Sequence, residues 1–548
     1  MLLTLTLLLD HLLKKIEQIT LIYPPVARPC EPPAGIASLC GALNHYGAEY
    51  KVLDLNLECL LDLLKTLPVA PDTWTRRAAR HLPKHLASLK DWKVYGNEGG
   101  YRRTVNDLNR LLEIAARSRR VHMSLANYQH EELSPARSTD LLRAAGNPED
   151  NPFYAYFRER LTDFIETEGS SLVGFSLNYL TQALCTFAMI GFLRRQWPGV
   201  KLILGGGLVT SWMRNPNWKN PFGGLVDHLV AGPGETPLLS FIGVKGLHEP
   251  ADHRFQNSHY SPDYGSLPTK DYLAPGPILP YSSSRGCYWN KCSFCPEKAE
   301  GNPYIPVPPT KVITDLQRLA SRQKPVLIHL LDNAISPSLL RALSEDPPGA
   351  PWYGFARLTS HLADPDFCLA LKRSGCVMLK LGLESGDQVV LDHLQKGVHL
   401  EEASSVLKNL KKTGIAAYVY LLFGTPPEGA IEARRTLEFV VRHHDCISFL
   451  NLAIFNMPIY GPEVLKMETR SFYEGDLSLY TSFEHPKGWD RHLIRQFLDK
   501  EFKRHPAIAP ILRRDPPSFT SNHASFFVMG DEFVRSGHSG GNGSPGNL

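Results

Sequence analysis

The sequence predicts an α/β protein with two parallel sheets. We expect an N-terminal Rossmann-like, doubly wound sheet with a helical insertion, followed by a partial (β/α)6-type barrel and a helical C-terminal segment. Three observations predict this architecture. Apolar runs alternate with helical patterns in residues 16–245, the alternation resumes in residues 277–470, and a chain of 548 residues is too long for one core.

The first region, residues 16–245, contains five apolar runs that are typical of buried parallel strands. The candidate strands are residues 18–25, 49–56, 171–178, 200–207 and 226–233. Ligands of doubly wound sheets bind at the carboxyl ends of the strands. Asn178, Gly206, Gly207, Gly232 and Glu235 fall at those ends. They are either ligand contacts or ordinary turn residues, and no Gly-x-Gly-x-x-Gly follows the first strand, which disfavours a nicotinamide or flavin site.

A long insertion, residues 58–168, interrupts the first region between its second and third strands. Its pattern is helical and rich in Arg and Lys. The insertion is either a solvated helical cap or a lid. Residues 1–15 lack the basic start and the cleavage site of a signal peptide, so we expect a short helical extension. No apolar stretch is long enough for a membrane span, and we expect a cytoplasmic protein.

The second region begins after a linker at residues 246–276. Strand patterns alternate with helices five or six times, which is typical of a partial or closed parallel barrel. The strands are residues 325–333, 352–358, 377–385, 416–424 and 447–458, preceded by "PILPYSSS". Residues 471–535 have a helical pattern, and the Gly, Ser and Asn-rich tail at 536–548 is expected to be disordered.

Charge and cysteine content exclude several classes of protein. The net charge is +4 and the basic residues are spread along the chain, so we expect no nucleic-acid partner. The single cysteines are predicted to be buried in a reducing compartment. Among them are Cys40, Cys185, Cys368, Cys376 and Cys446.

Three further cysteines stand together at Cys287, Cys292 and Cys295, just after the first strand of the second region. Structural zinc normally takes four protein ligands, and no Cys or His pair follows at finger spacing. A 4Fe-4S cluster held by three thiolates leaves one iron open to an outside ligand. Zinc with a distant fourth ligand remains an alternative.

Four motifs carry a resemblance to a known family. They are "SRGCYWNKCSFC", "LGLESGDQVVLDHLQKG", "LLFGTPPE" and, in the first region, "LVAGPGE". In this order and spacing, the chain resembles the cobalamin-binding subgroup of the radical S-adenosylmethionine (SAM) superfamily. The resemblance implies three cofactors: a 4Fe-4S cluster, SAM and cobalamin.

The chain departs from the family pattern in two places. Four residues rather than three separate Cys287 from Cys292. The loop after the first strand, "PPVARPCEPPAG", contains no histidine, and the next one in the chain is His45. If cobalamin binds, we therefore expect no lower axial histidine from this loop.

The resemblance implies a role for each matching residue. Cys287, Cys292 and Cys295 would bind the cluster, and Phe294 would pack on the adenine of SAM. Asp332 and Asn333 would hold the methionine amine, with helix capping as the alternative for Asp332. Arg357 would contact the SAM carboxylate or the substrate, unless it forms a plain salt bridge. Glu384 and Ser385 would bind the ribose, and Gly424 would lie at the adenine. Asn178, Gly206, Gly207, Gly232 and Glu235 would approach cobalamin.

The implied chemistry is radical methylation. A 5′-deoxyadenosyl radical and methylcobalamin would together methylate an unactivated carbon or a phosphorus centre. Radical oxidation, cyclisation or ring rearrangement without methyl transfer is the second reading, and an inactive cobalamin-binding sensor or scaffold is the third. The expected partners are a small-molecule or peptide substrate and a low-potential electron donor such as flavodoxin or ferredoxin.

Overall fold

The computed structural model describes residues 18–66, 72–244, 259–471, 475–517 and 524–528. The chain divides into two compact units. The first unit takes in residues 1–82, 107–272 and 471–479, and the second takes in 83–106, 273–470 and 480–548. The predicted N-terminal extension, most of the first half of the linker and the tail at 536–548 lie outside the described residues.

The first unit is built on a parallel sheet. Its strands are β1 (Ile19–Tyr23), β2 (Tyr50–Asp54), β3 (Val121–Ser124), β4 (Asn127–His130), β5 (Leu172–Ser176), β6 (Lys201–Gly205) and β7 (His228–Leu229). Five of them form the sheet in the order β2-β1-β5-β6-β7, with every pairing parallel. The direction in which successive strands are added changes between β1 and β5, and doubly wound folds bind ligands at the carboxyl edge beside such a point. The Rossmann-like prediction is confirmed.

Helices cover this sheet. They are Ala34–His45, Leu55–Lys65, Thr73–Arg80, Ser138–Gly146, Tyr154–Glu168, Leu180–Gln196, Gly207–Met213 and Glu235–Phe241. The helix Leu180–Gln196 is buried along the whole of residues 182–193, because its apolar side chains lie on every face rather than on one stripe. β1 and β5 are likewise buried at every position, which explains why their sequences read as unbroken apolar runs.

The sequence pattern of the insertion at 58–168 predicts helices throughout, but the structure also contains two strands there. β3 and β4 form an antiparallel hairpin whose side chains alternate between buried and exposed. The insertion is also divided between the units, since residues 83–106 belong to the second one. The helices of that stretch are Leu82–Leu89, Trp92–Tyr95 and the start of Glu98–Ala116.

The second unit contains a larger parallel sheet. Its strands are β8 (Ile278–Tyr281), β9 (Ser284–Arg285), β10 (Ile305–Pro306), β11 (Leu327–Leu330), β12 (Trp352–Ala356), β13 (Cys376–Glu384), β14 (Ala416–Phe423), β15 (Phe449–Ile454), β16 (Met457–Pro458), β17 (Thr469–Ser471) and β18 (Tyr480–Phe483). Six strands pair in the order β15-β14-β13-β12-β11-β8. β8 and β15 are the two edges, so the barrel is partial, as predicted.

Helices follow the strands of this sheet, and those before β15 lie on the connections between its strands. They are Pro296–Ala299, Pro309–Gln323, Pro337–Glu345, Ser360–Ala363, Pro365–Arg373, Gln388–His393, Leu400–Thr413, Ala430–Arg442, Arg491–Phe497 and Ala509–Arg514. The region predicted to be helical after residue 470 also contains a strand, β18, which forms a small sheet with β16 and β17. The aromatic and β-branched run at β18 favours a strand over a helix.

An apolar core fills the space where the barrel strands begin. We call it the strand-start core, and it consists of Ala274, Ile278, Leu327, Tyr353, Val377, Met378, Ala416, Tyr418, Phe449, Ala524 and Val528, with Trp92 and Phe527 packed against it. The ring of Phe526 lies 5.4 Å from that of Tyr95 and 4.9 Å from that of Tyr101. Segments near residues 95 and 526 therefore close the strand-start end of this barrel, which leaves the carboxyl end for chemistry.

Two further predictions concern isolated features. Cys40, Cys185, Cys368 and Cys376 are buried as predicted, whereas Cys446 is partly exposed because it ends the short turn His444–Cys446. Among the helices that the structure describes, none is long and apolar enough to cross a membrane.

Candidate active site

The three clustered cysteines lie on the loop between β9 and β10, at the carboxyl end of β8. Cys292 is buried, Cys287 and Cys295 are partly exposed, and all three are free thiols. The extra residue between Cys287 and Cys292 is accommodated by Asn290, whose φ of 42° places it in the left-handed region. Asparagine tolerates that region better than most residues. The longer loop therefore keeps its cysteines together.

The thiols are close enough to influence one another. Burial raises the pKa of Cys292 and of Cys295, and the neighbouring thiols raise both further. Opposing this, backbone amides of Lys298 and Glu297 lower the pKa of Cys295. Within the described ranges, no three His, Cys, Asp or Glu side chains converge as ligands of a single metal ion would. The three thiols are near enough to shift one another's pKa, and three cysteine ligands suit a 4Fe-4S cluster with one open iron better than zinc, which normally takes four ligands.

The segment Leu394 to Gly397, "LQKG", is docked onto the cysteine loop. The backbone N–H of Ser293 donates to the carbonyl of Leu394 at 3.0 Å, and the indole Nε1 of Trp289 donates to the carbonyl of Gln395 at 2.9 Å. A Cβ atom on Gly397 would lie 2.1 Å from Cζ2 of Trp289. Glycine is therefore required for this approach, which holds the motif after β13 against the cysteines.

Glu384, the predicted ribose carboxylate, ends β13 in an unusual conformation. Its φ is +68°, and the register with β14 shifts between Gly382 and Glu384. Such strain in a non-glycine residue is common at functional sites. Lys396 Nζ donates to its Oε1 at 2.8 Å, and among the described residues Oε2 has no hydrogen-bond partner. The carboxylate is thus fixed while one oxygen stays available to a ligand.

Ser385 is fully buried, and its hydroxyl is hydrogen-bonded to other residues of the protein. Its Oγ accepts from the backbone N–H of Asp387 at 3.1 Å and lies 3.2 Å from Oγ1 of Thr436. These contacts hold the loop after β13 to the helix Ala430–Arg442. Ser385 therefore supports the position of Glu384, and its direct contact with ribose stays a prediction.

Asp332 and Asn333 lie after β11, beside the start of the cysteine loop. The Asp332 carboxylate is buried and accepts from Ser283 Oγ at 2.7 Å, from the Ser283 N–H at 3.3 Å and from Ser284 Oγ. Asn333 Nδ2 donates to the carbonyl of Gly286 at 3.3 Å. Both residues anchor the chain before Cys287, and Asp332 does not cap a helix. Their contact with the SAM amine stays a prediction.

Arg357 follows β12 and is buried, but no salt bridge holds it among the described residues. Its Nη2 donates to the carbonyl of Gly397 at 3.3 Å and to that of Lys396, and its guanidinium lies 4.1 Å from the centre of the Trp289 ring. Arg357 therefore braces the docked segment. The remaining nitrogens of the guanidinium could meet the SAM carboxylate or the substrate.

Gly424 follows β14 and has a φ of +80°. Its N–H donates to the buried carboxyl of Glu428, the last residue of the "LLFGTPPE" motif. Within the part of the chain that the structure describes, the buried atoms Oε1 of Glu428 and Oγ1 of Thr425 have no hydrogen-bond partner. Burial raises the pKa of Glu428 to about 8, because water no longer solvates the charged form.

This raised pKa predicts a pH dependence of stability. The unfolded carboxyl ionises near pH 4.5, whereas the folded one holds its proton to about pH 8. Glu428 therefore costs the folded state about 1.4 kcal/mol per pH unit between those values. We expect Glu428→Gln, which keeps the acceptor for Gly424, to gain about 2 kcal/mol relative to wild type between pH 6 and pH 8. Denaturant unfolding at both pH values measures this gain.

The control for this prediction is Glu501→Gln, which alters an exposed carboxylate paired with Arg434. The difference in free energy of unfolding between Glu501→Gln and wild type should be the same at pH 6 and at pH 8. An equal effect of the two substitutions would mean that Glu428 is ionised in the folded protein at pH 6.

The residues predicted to meet cobalamin lie in the first unit. Asn178 follows β5, and its Oδ1 accepts from the N–H of Gly207 at 3.0 Å. Gly206, after β6, has a φ of 114°, and a Cβ there would lie 2.3 Å from the carbonyl oxygen of Leu177. Gly207 is exposed beside this tight approach. The structure thus brings these three residues together at one open strand end.

Gly232 and Glu235 lie after β7. Gly232 has a φ of 76°, and its N–H donates to Oγ1 of Thr210 at 2.9 Å. Glu235 begins the helix Glu235–Phe241. Because β7 neighbours β6, both residues lie along the same carboxyl edge as Gly206. His45 ends the helix that follows β1, so it lies at the helix end remote from this edge.

Sequence reasoning assigned no role to Trp289, Lys396 and Glu428. Lys396 is the second-last residue of "LGLESGDQVVLDHLQKG" and Glu428 is the last residue of "LLFGTPPE", and each side chain contacts another residue of its own motif. A charged residue at or next to the end of a motif was the available signal. The sequence offered no such signal for Trp289, since a tryptophan in a loop can equally well be a residue that only packs against its neighbours.

Residues 281–440 match the radical SAM superfamily. The second unit therefore contains a segment that is similar to radical SAM domains. The chain is 26% identical over 243 residues to an uncharacterized methyltransferase of Pyrococcus horikoshii, a match that covers 39% of this chain and 52% of that protein. It is 24% identical over 272 residues to the anaerobic magnesium-protoporphyrin IX monomethyl ester cyclase of Rubrivivax gelatinosus, with 42% and 47% covered. The chain spans about half the length of the curated relatives it matches.

The fold also matches a solved structure that covers both units. The cobalamin-dependent S-adenosylmethionine radical enzyme OxsB, with aqua-cobalamin bound, aligns at a TM-score of 0.58 and 11% identity over 90% of this chain and 68% of that one. This likeness shows a shared fold. The predicted resemblance to cobalamin-binding radical SAM proteins is confirmed for the radical SAM domain and for the architecture.

Proposed function

We propose that this protein is a cobalamin-dependent radical SAM enzyme that methylates an unactivated carbon, or a phosphorus centre, of a small molecule or peptide. The observation that carries the proposal is the docking of Lys396 and Glu384 beside Cys292 at the carboxyl end of the barrel sheet. When bound, the cluster, SAM and cobalamin supply a carbon radical and a methyl group. The protein supplies position, charge and exclusion of water.

Each part of the site has one task in this proposal. Cys287, Cys292 and Cys295 hold the cluster, and Phe294 packs on the adenine of SAM. Oε2 of Glu384 accepts hydrogen bonds from ribose hydroxyls, since a carboxylate oxygen is an acceptor only. Asn333 and the backbone at Gly424 bind the remaining polar groups of SAM.

The inner face of the barrel sheet suits an unreactive substrate. Phe355 and Tyr420 are partly exposed there with ring centres 5.0 Å apart, and Tyr418 lies 4.8 Å from Tyr420. Aromatic rings bury large apolar areas and keep water from the reacting carbon. An apolar or aromatic substrate portion fits this wall.

The first unit would hold cobalamin at the edge formed by Asn178, Gly206, Gly207, Gly232 and Glu235. Gly207 is exposed and lacks a side chain, so a large planar ligand could approach its backbone. The loop between β1 and the helix Ala34–His45 offers no histidine. We therefore propose that this loop gives cobalamin no axial imidazole.

The proposed chemistry needs electrons of low potential. We propose a flavodoxin or ferredoxin as donor and a reducing, cytoplasmic setting. In an oxidising compartment the three loop thiols would form disulfides and could not bind the cluster.

The test uses anaerobically reconstituted protein with SAM, a low-potential reductant and hydroxocobalamin. We expect 5′-deoxyadenosine and S-adenosylhomocysteine by mass spectrometry, the second only with cobalamin. 5′-Deoxyadenosine without cobalamin-dependent S-adenosylhomocysteine would favour the second candidate, radical oxidation, cyclisation or ring rearrangement. The likeness to a ring-forming cyclase favours keeping that candidate. Neither product from protein with a full cluster would overturn the proposal and leave a binding role.

A further inference from the structure

Two cations, Arg357 and Lys396, lie against the cysteine loop. The guanidinium of Arg357 lies 4.1 Å from the centre of the Trp289 ring, and the segment that carries Lys396 is bonded to the loop through the Ser293 N–H and the carbonyl of Leu394 at 3.0 Å. The Lys396 side chain is 9% exposed, so solvent and salt screen its charge weakly. An ammonium in this position acts on any charge that the cysteine loop carries.

Lys396 also contacts the rest of the site. Its Nζ lies 2.8 Å from Oε1 of Glu384 and 5.5 Å from the centre of the Phe294 ring. One side chain thus touches the proposed ribose ligand and the proposed adenine neighbour. Arg357 holds the same segment through the backbone carbonyls of Lys396 and Gly397.

The fold leaves a specific space for this ion pair. A Cβ atom on Gly382 would lie 2.5 Å from Oε1 of Glu384 and 2.8 Å from Nζ of Lys396. Any larger residue would displace the pair, so Gly382 provides a slot for it. The left-handed φ values of Glu384, 68°, and Gln395, 51°, bring the two side chains into this slot. Strain on both sides of the pair indicates that the fold enforces the contact.

We infer that Lys396 is a positioning residue that links the cluster to SAM: its charge favours the reduced cluster, and its ion pair presets Glu384 for the ribose. The inference rests on the proposed function. A cluster with three thiolates becomes more negative on reduction, so a nearby cation raises its reduction potential. Pairing also holds the Glu384 carboxylate in one orientation.

The test compares Lys396→Met and Lys396→Arg in the full chain with a reconstituted cluster. Lys396→Met, which keeps the length of the stem, should make the cluster midpoint potential more negative in an EPR-monitored titration without SAM. It should also weaken SAM binding about tenfold, as loss of an orienting partner commonly does. Lys396→Arg, which keeps the charge, should restore the potential. The matched control is Lys411→Met, which breaks an exposed ion pair with Asp445.

The outcomes separate this inference from the proposed function. A wild-type protein that assembles no cluster overturns both. A wild-type protein that cleaves SAM, with Lys396→Met and Lys411→Met equal in potential and SAM affinity, overturns the inference alone. A negative shift in Lys396→Met that Lys396→Arg does not reverse also overturns it, because charge would not be the cause. Should Lys396→Met lose iron, Lys396→Gln provides the same comparison.

Discussion

Replacing Cys292 with alanine is expected to abolish cluster assembly and reduce SAM cleavage by more than about a thousandfold. Cys292 is the most buried of the three loop thiols, and burial raises its pKa although Lys396 and Arg357 act in the opposite direction. Two remaining thiolates cannot hold a cluster that needs three. Iron and sulfide content, the EPR signal of the reduced protein and the yield of 5′-deoxyadenosine measure the loss.

Cys446→Ala is the matched control, because Cys446 is a partly exposed thiol far along the chain from the loop. It should keep the iron content and the SAM cleavage of wild type. Full iron loading in Cys292→Ala would show that another residue supplies the third ligand, and the assignment of this triplet would then be wrong.

Replacing Gly206 with alanine is expected to destabilise the first unit by more than about 3 kcal/mol and to prevent cobalamin binding. The φ of 114° is a backbone conformation that residues with a Cβ rarely adopt. The new Cβ would also lie 2.3 Å from the carbonyl oxygen of Leu177, a backbone atom that cannot move alone. Either β6 or the strand end at Leu177 must shift. Thermal unfolding followed by circular dichroism, and the absorbance of bound hydroxocobalamin, measure the two effects.

Gly47→Ala separates backbone strain from the steric clash. Gly47 has a φ of 64°, and nothing lies within 4 Å of the position of its Cβ. This variant should cost about 1 kcal/mol from strain alone and should bind cobalamin normally. If both variants unfold at the same temperature, the close approach at Leu177 is not a constraint on the fold.

The strands were predictable from the sequence because burial leaves a direct trace in them. β1 and β13 are buried along almost their whole length, and their apolar runs are accordingly continuous. The hairpin of β3 and β4 has a weaker trace, an alternation over four residues in each strand, within a segment whose other residues favour helices. When a short alternating segment lies within a longer helical pattern, the helical pattern determines the prediction and the strands are missed.

The site was predictable where one motif contains the chemistry and unpredictable where partners come from different elements. The three cysteines lie on one loop, so spacing alone groups them. The role of Asp332 depends on Ser283 and Ser284, which precede it by about 50 positions in the chain. Lys396 and Glu384 are separated by a helix and a turn. A sequence gives no angle at which such segments meet, so these contacts needed the structure.

The strand-start core has a consequence for how the protein is made. Trp92 and Ala524 both belong to this core, although more than 400 residues separate them along the chain. Contacts of such sequence separation form slowly, because closing a long loop costs entropy before any contact repays it. During synthesis, the strand-start core cannot be completed until residues 524–528 have left the ribosome. Until then the apolar starts of the barrel strands lack the packing partners that residues 524–528 provide in the folded protein.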